Sequence, residues 1–380
     1  MSFDFVVIGA TGLQGRIVSR DLIEHGYNVL LCGRNKSRIL NLLKNKKQAK
    51  FKYLELHDHA SLLKVLHGAK SSVVINCAEG DFNLEVQKAC LRISAHYIDL
   101  GSDIPMTKDQ FSLHQDFQKK RLCAITGCGS VPGIGNVMLR YASEKLDTID
   151  SVDAGFAWTA NKKVFVVPFS IISIIEELTD RPTVLKNKRF TTLEPLSGAH
   201  WLNFEEIKKQ RVFLVRHPET YTFYRYLKNK GIKNIKFYAG FPDFSYNTII
   251  SFIKSGLGSR EPNMDGVRPI DLLAKALKNT HSPKGYHEKE NLWIYLSGKK
   301  NGKEKSIRMN CLVPTIKGWE EHGCNIDTGL PCSIIAQMVK EGIITSTGSR
   351  SPEFFVPVKP FFKAIAKRKM FVYENGKKIN

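Results

Sequence analysis

This 380-residue chain has no Cys-x-x-Cys spacing, no long apolar run and little acid for the amount of base it carries. Its eight cysteines mostly sit inside apolar stretches, which reads as reduced thiols and excludes a disulfide framework or a zinc knuckle. The most apolar stretch, 164–175, has 12 residues and includes Pro168 and two serines. That is short of the ~20 residues a membrane helix needs, so a buried strand running into a helix is expected there. The opening segment lacks a basic region and a cleavage site, so a cytoplasmic protein without a secretory leader is expected.

Acidic residues number 36 against 57 Lys+Arg, a formal net charge of +21. Such a balance suits nucleic acid, an anionic membrane or acidic small molecules. The lysines are scattered and no nucleic-acid module is recognisable, which leaves no nucleic acid and no membrane as expected partners. With 42% hydrophobic and 24% charged residues the chain is not disordered, and its length points to two domains.

The most informative segment is the first. Residues 3–9 form a short apolar run ending in glycine, as a buried parallel strand does. Gly9, Thr11, Gly12, Gln14 and Gly15 follow in a turn that opens an amphipathic helix. Gly9 permits the sharp exit from the strand, Gly12 lets backbone approach a pyrophosphate, and Gly15 lets the helix lie close to the sheet. The helix then offers free N–H groups to phosphate. A second strand, 28–34, arrives on schedule and ends in Arg34, with Ser37 and Arg38 just beyond. Where an NAD site places a carboxylate for the ribose 2′-hydroxyl, an arginine suits a 2′-phosphate, so NADP is favoured over NAD. The plainer reading of Arg34 and Arg38 is a solvated helix start.

Strands at 51–56, 71–78, 96–101 and 122–127 alternate with helices, predicting a doubly wound parallel sheet with ligands at the strand C-termini. Asp58 is placed to cap the helix after the third strand and to border the adenine, and Asn76 and Ala78 to border the nicotinamide ribose. The pair His57 and His59 has no third ligand nearby, so no metal site is expected. Tyr141 and Lys145, with Ser130 upstream, match the catalytic set of short-chain carbonyl and alcohol reductases. Tyr226 and Lys230 repeat the same spacing, however, so a surface helix is the better reading.

The segment 124–139, Ala-Ile-Thr-Gly-Cys-Gly-Ser-Val-Pro-Gly-Ile-Gly-Asn-Val-Met-Leu, together with Tyr-Ile-Asp-Leu-Gly-Ser at 97–102, resembles the saccharopine dehydrogenase-like family. Further matches run through 176–182, 186–190, 194–197, 217–220, 240–245, 328–342 and 351–362. The resemblance implies an α/β fold: an NADP-binding Rossmann domain at 1–130, completed by 346–380, with an inserted substrate and dimerisation domain at 131–345 carrying a mixed sheet. It implies a homodimer that transfers hydride between NADP and the C–N bond of an amino-acid substrate such as saccharopine or lysine. A scaffold that holds NADP without turnover, as a sensor or interaction protein, is the non-enzymatic alternative.

The family's substrate-contacting positions fall on Asp99, Cys128, Gly129, Arg181 and the 217–222 segment, including Thr222. Asp99 can pair with a substrate ammonium or cap a helix. Arg181 can clamp a carboxylate or end a helix in solvent. Cys128 suits a polarizable lining better than a nucleophile, because hydride transfer to or from an amine carbon needs no covalent step. His217 has the chemistry of a proton shuttle, or serves as a loop fixture. Where relatives place a tryptophan, this chain has Phe169.

Overall fold

A computed structural model of the chain describes residues 2–167, 169–277 and 282–380. Six short strands, β1 (Phe5–Ile8), β2 (Val29–Gly33), β3 (Ala49–Tyr53), β4 (Val73–Asn76), β5 (His96–Asp99) and β6 (Cys123–Ile125), carry the first domain. The strands β7 (Thr148–Ala160), β8 (Thr183–Lys186), β9 (Arg189–Thr192), β10 (His200–Phe204), β11 (Lys208–Leu214), β12 (Asn234–Gly240), β13 (Glu288–Lys300) and β14 (Lys303–Pro314) follow. Three more close the chain: β15 (Gly348–Arg350), β16 (Phe371–Glu374) and β17 (Lys377–Lys378).

The first sheet is parallel throughout and runs β15-β6-β5-β4-β1-β2-β3. β1, β2 and β4 are buried at every position, as near-continuous apolar strands covered on both faces must be. Strand order reverses between β1 and β4, the switch point at which such sheets bind ligands. The second sheet runs β10-β11-β12-β7-β13-β14-β16-β17, with β8 and β9 appended to β12. It is mixed, because β12 pairs β7 in parallel while its other pairings are antiparallel. Among the described residues no helix is long and apolar enough to cross a membrane.

Two local expectations differ. Residues 163–167 are irregular and Ile171 opens a helix, so the described residues of 163–170 form no strand; Pro168 lies outside the described residues. The tail also divides. β15 joins the first sheet, but β16 and β17 extend the second, and the helix Ile326–Lys340, upstream of 346, already packs on the first domain.

That helix organises the molecule. Of its 15 residues 13 are buried, which suits a helix apolar on all sides and enclosed by both domains. It lies against the helix Leu13–Glu24 so closely that a Cβ at Gly329 would come within 2.4 Å of Ile17 Cγ2. Buried Asp21 then locks the crossing: it accepts Ser333 Oγ at 2.7 Å, Gln337 Nε2 at 2.9 Å and a two-pronged grip from Arg368 at 3.0 and 2.9 Å. Gly329→Ala is therefore expected to lower stability by about 1–3 kcal/mol, as overpacking does, measured by denaturant unfolding.

Candidate functional site

The glycine turn is built as its residue types require. Gly9 has φ +73°, and a Cβ there would lie 2.6 Å from the backbone nitrogen of Ala78. At Gly15 a Cβ would lie 2.1 Å from the Gly9 carbonyl oxygen, so this glycine is demanded by the turn itself as well as by helix-to-sheet packing. Gly12 caps the Leu13–Glu24 helix without any side-chain acceptor, which leaves the first N–H groups of that helix open to phosphate. Thr11 packs under Gly33, whose Cβ would fall 2.8 Å from its hydroxyl. Gln14 reaches across to Asn325 at 3.4 Å, ahead of the 326–340 helix, and its carbonyl oxygen is buried without a donor.

Three guanidiniums belong to this end of the cleft. Arg34 is largely exposed and 3.5 Å from Glu55. Arg38 follows a turn in which Asn35 accepts both the backbone N–H and the hydroxyl of Ser37, at 3.0 and 2.6 Å. Arg16, one turn into the first helix, was not singled out by the sequence. Burial and then the nearby Arg38 lower its pKa, and its Nε is buried with no partner. Two close cations and an orphaned donor beside an open helix N-terminus fit a dinucleotide carrying an extra phosphate. Asp58 caps its helix through Ser61 N at 2.9 Å. Asn76 is spent on structure: it donates to Asn83 at 2.8 Å and accepts from Ala78 N at 3.2 Å.

Several residues expected at the reacting centre are elsewhere. Asp99 is 0% exposed, and its carboxylate accepts Gly101 N at 2.8 Å, Gly127 N at 2.7 Å and Gln110 Nε2 at 2.7 Å. It is a strut joining the loops after β5 and β6, with no face left for a substrate ammonium. Cys128 is likewise sealed, its thiol turned to the Ile125 carbonyl, and burial pushes its pKa up, the reverse of a reactive thiolate. Gly129 is held against Thr328. Arg181 is exposed, and its guanidinium is paired with the carboxylate of Glu194 at 2.7 Å. Tyr141 and Lys145 both end on Glu374, at 3.1 and 2.5 Å, which makes them a tie between a helix and β16 rather than a proton-transfer pair.

The cleft itself is defined by contacts between the domains. Arg216 lies 3.8 Å from Asp103, beyond β5, and 3.0 Å from Asp180, which Arg260 also holds at 2.9 Å. On the floor, Ser130 and Thr328 hydroxyls lie 3.3 Å apart. His217 hydrogen-bonds through Nδ1 to fully buried Glu219 and stacks on Phe237, centroids 3.9 Å apart. Thr222 is buried on the following turn, and Phe169 packs among Phe156 and Phe241.

Residues 5–125 match the saccharopine dehydrogenase NADP binding domain, and residues 128–370 match the saccharopine dehydrogenase C-terminal domain. The chain belongs to the saccharopine dehydrogenase family. It is thus an oxidoreductase of a nicotinamide-dependent family. Carboxynorspermidine synthase of Vibrio cholerae is 25% identical over 286 residues, 70% of this chain and 68% of that protein. Carboxyaminopropylagmatine dehydrogenase of Synechocystis is 22% identical over 358 residues, 89% of each. The apo saccharopine dehydrogenase (L-Glu forming) of Saccharomyces cerevisiae superposes over both full chains with a TM-score of 0.75 at 14% identity, a likeness of fold.

In this saccharopine dehydrogenase-family chain, Asp99→Ala leaves three donors unpaired. A loss of more than about 2 kcal/mol is expected in thermal or chemical unfolding, with any fall in activity tracking the folded fraction.

Proposed function

We propose that this protein transfers hydride between NADP and the C–N bond of an amino-acid amine or imine of the saccharopine or lysine type. Family membership supports C–N chemistry, and the two relatives compared above carry the names of amine-processing enzymes. The observation that carries the cofactor reading is the open N-terminus of the Leu13–Glu24 helix flanked by Arg16, Arg34 and Arg38. The helix N-terminus would hold the pyrophosphate and the arginines the 2′-phosphate; the nicotinamide, when bound, would supply or take the hydride.

Reduction adds a hydride to the imine carbon and a proton to its nitrogen, giving an amine. The chain must therefore orient the carbon, exclude water and manage one proton. His217 is the proposed proton carrier. Glu219, buried beneath it, fixes its Nδ1, and the stack on Phe237 fixes the plane of the ring. An imidazole so held presents Nε2 in a single direction, the logic of a base oriented by a carboxylate. The ring is 13% exposed, close to the Arg216–Asp103 bridge across the cleft, so solvent can restore its proton.

Two measurements check this reading. Replacing Arg34 and Arg38 with alanine should weaken NADPH binding by tenfold or more and leave NADH binding unchanged, read by nucleotide fluorescence. With aminoadipate semialdehyde plus glutamate, NADPH consumption should fall by about 10²–10⁴-fold in His217→Asn at unchanged NADPH affinity, the usual share of an acid–base group. Lysine with NADP is the companion assay for the reverse direction.

A further inference from the structure

The helix that follows the glycine turn ends on a cavity far from it. Leu13–Glu24 directs its N-terminus at the dinucleotide turn, and its 12 residues at about 1.5 Å each put the other end roughly 18 Å away. A cavity of about 290 Å³ opens there, between that end, the 316–319 turn, the 326–340 helix and the C-terminal end of the Val358–Lys367 helix. Its size is close to the lower bound of the roughly 300–1,000 Å³ of small-molecule sites.

Lys317 and Gly318 form the centre of a tight turn. Trp319 N donates to the Ile316 carbonyl at 2.9 Å, and Gly318, at φ +83°, takes the position where such turns need glycine. The turn brings Ile316, Lys317 and Trp319 to the cavity. Arg20 lies over the Trp319 ring, 3.8 Å from its centroid, and is itself held by Glu24 at 2.8 Å, so the indole is fixed in place. Leu330, 2% exposed, adds an apolar wall. His25 and Arg368 close the inner end. A guanidinium has no acceptor, so Arg368 Nη2 donates to His25 Nε2 at 3.2 Å, and His25 Nδ1–H donates to the Asp21 carbonyl at 2.7 Å.

The rim is cationic. Lys317, Lys367 and Lys369 line the cavity, and none of them belongs to an ion pair among the described residues. The acids of the wall are already engaged, Asp21 by Arg368 at 2.9 Å and Glu24 by Arg20. Glu320, which feels the charge of Lys317, is turned to the backbone N–H of Gly318 at 2.8 Å. Two helix C-termini open here with a partial negative charge of about half a unit each, against three whole lysine charges. An indole and aliphatic wall beneath an unpaired cationic rim is matched by a molecule with a flat apolar body and a negative head.

We propose that this cavity is a second ligand site, for a small aromatic anion whose ring packs on Trp319 and whose carboxylate or phosphate lies among Lys317, Lys367 and Lys369. The site is separate from the cleft and independent of the C–N chemistry above. Its ligand touches the Arg368 end of the Asp21 network, on which the crossing of the two helices depends, so occupancy stabilises the folded chain. The three lysines repel one another, and a bound anion relieves that repulsion, so affinity falls as salt rises.

Calorimetric titration of the full chain with phenyl phosphate and with phenylacetate, each with and without saturating NADP, tests the site. Saturable binding of at least one probe is expected, at an affinity that NADP leaves unchanged and with a melting temperature that rises with probe concentration. The tighter of the two tells a phosphate head from a carboxylate. Inorganic phosphate, which lacks the ring, and phenethylamine, which reverses the charge, should bind at least tenfold more weakly. Lys317→Glu and Lys367→Glu, both at exposed positions, should each weaken the probe roughly fivefold or more, the scale of one exposed charge contact, with the melt of the free chain retained. No binding of either probe, displacement by NADP, equal uptake of inorganic phosphate, or unchanged affinity in both lysine variants would overturn the assignment. If NADP itself does not bind, the cofactor reading falls and the two lysine variants still decide this site.

Discussion

The crossing of two helices at Gly329 sets the rest of the molecule. Because no side chain intervenes there, the 326–340 helix lies directly on the helix that follows the glycine turn. Its N-terminus is thereby placed between the dinucleotide turn and the second sheet. Gln14 on one side and Thr328 on the other are brought within reach of Asn325 and Ser130. The Asp21–Ser333–Gln337–Arg368 network makes the crossing expensive to break, since losing one member strands a buried charge.

This arrangement divides the cleft electrically. At the outer edge of the first sheet, Arg16, Arg34 and Arg38 gather positive charge with Glu55 and Glu321 as nearby acids. Across the 326–340 helix, Glu177, Glu290 and Asp327 gather acid with no described cation in an ion pair with them. A net charge of +21 therefore coexists with buried carboxyls that no described cation pairs. Burial raises the pKa of all three carboxyls, so the interior favours their protonated forms over charges held side by side.

Much of the first domain was legible because its signals are local. A strand, a glycine turn and an amphipathic helix occupy adjacent residues, so sterics and periodicity suffice to place Gly9 and Gly15 in a turn that admits no side chain. Asp99 was not legible, because a carboxylate at a strand end looks alike whether it faces a cleft or three backbone and amide donors. Arg181 next to Pro182 suggested a clamp, yet its partner Glu194 lies 13 residues on, across a strand pair. Tyr141 and Lys145 were placed on one helix face by spacing alone, and their common partner Glu374 is 233 and 229 residues away.

By itself the sequence determined the family, the doubly wound sheet and the glycine turn, each written in contiguous residues whose conformational limits are local. Only the tertiary structure decided which polar groups meet. Arg16 joins Arg38 through the packing of the first helix on the turn after β2. Glu177, Glu290 and Asp327 come from positions more than 30 residues apart, and they act on one another's ionisation only because a helix, a strand and a second helix pack together. Side-chain burial and pairing depend on such long-range closure, and residue type along the chain carries no record of it.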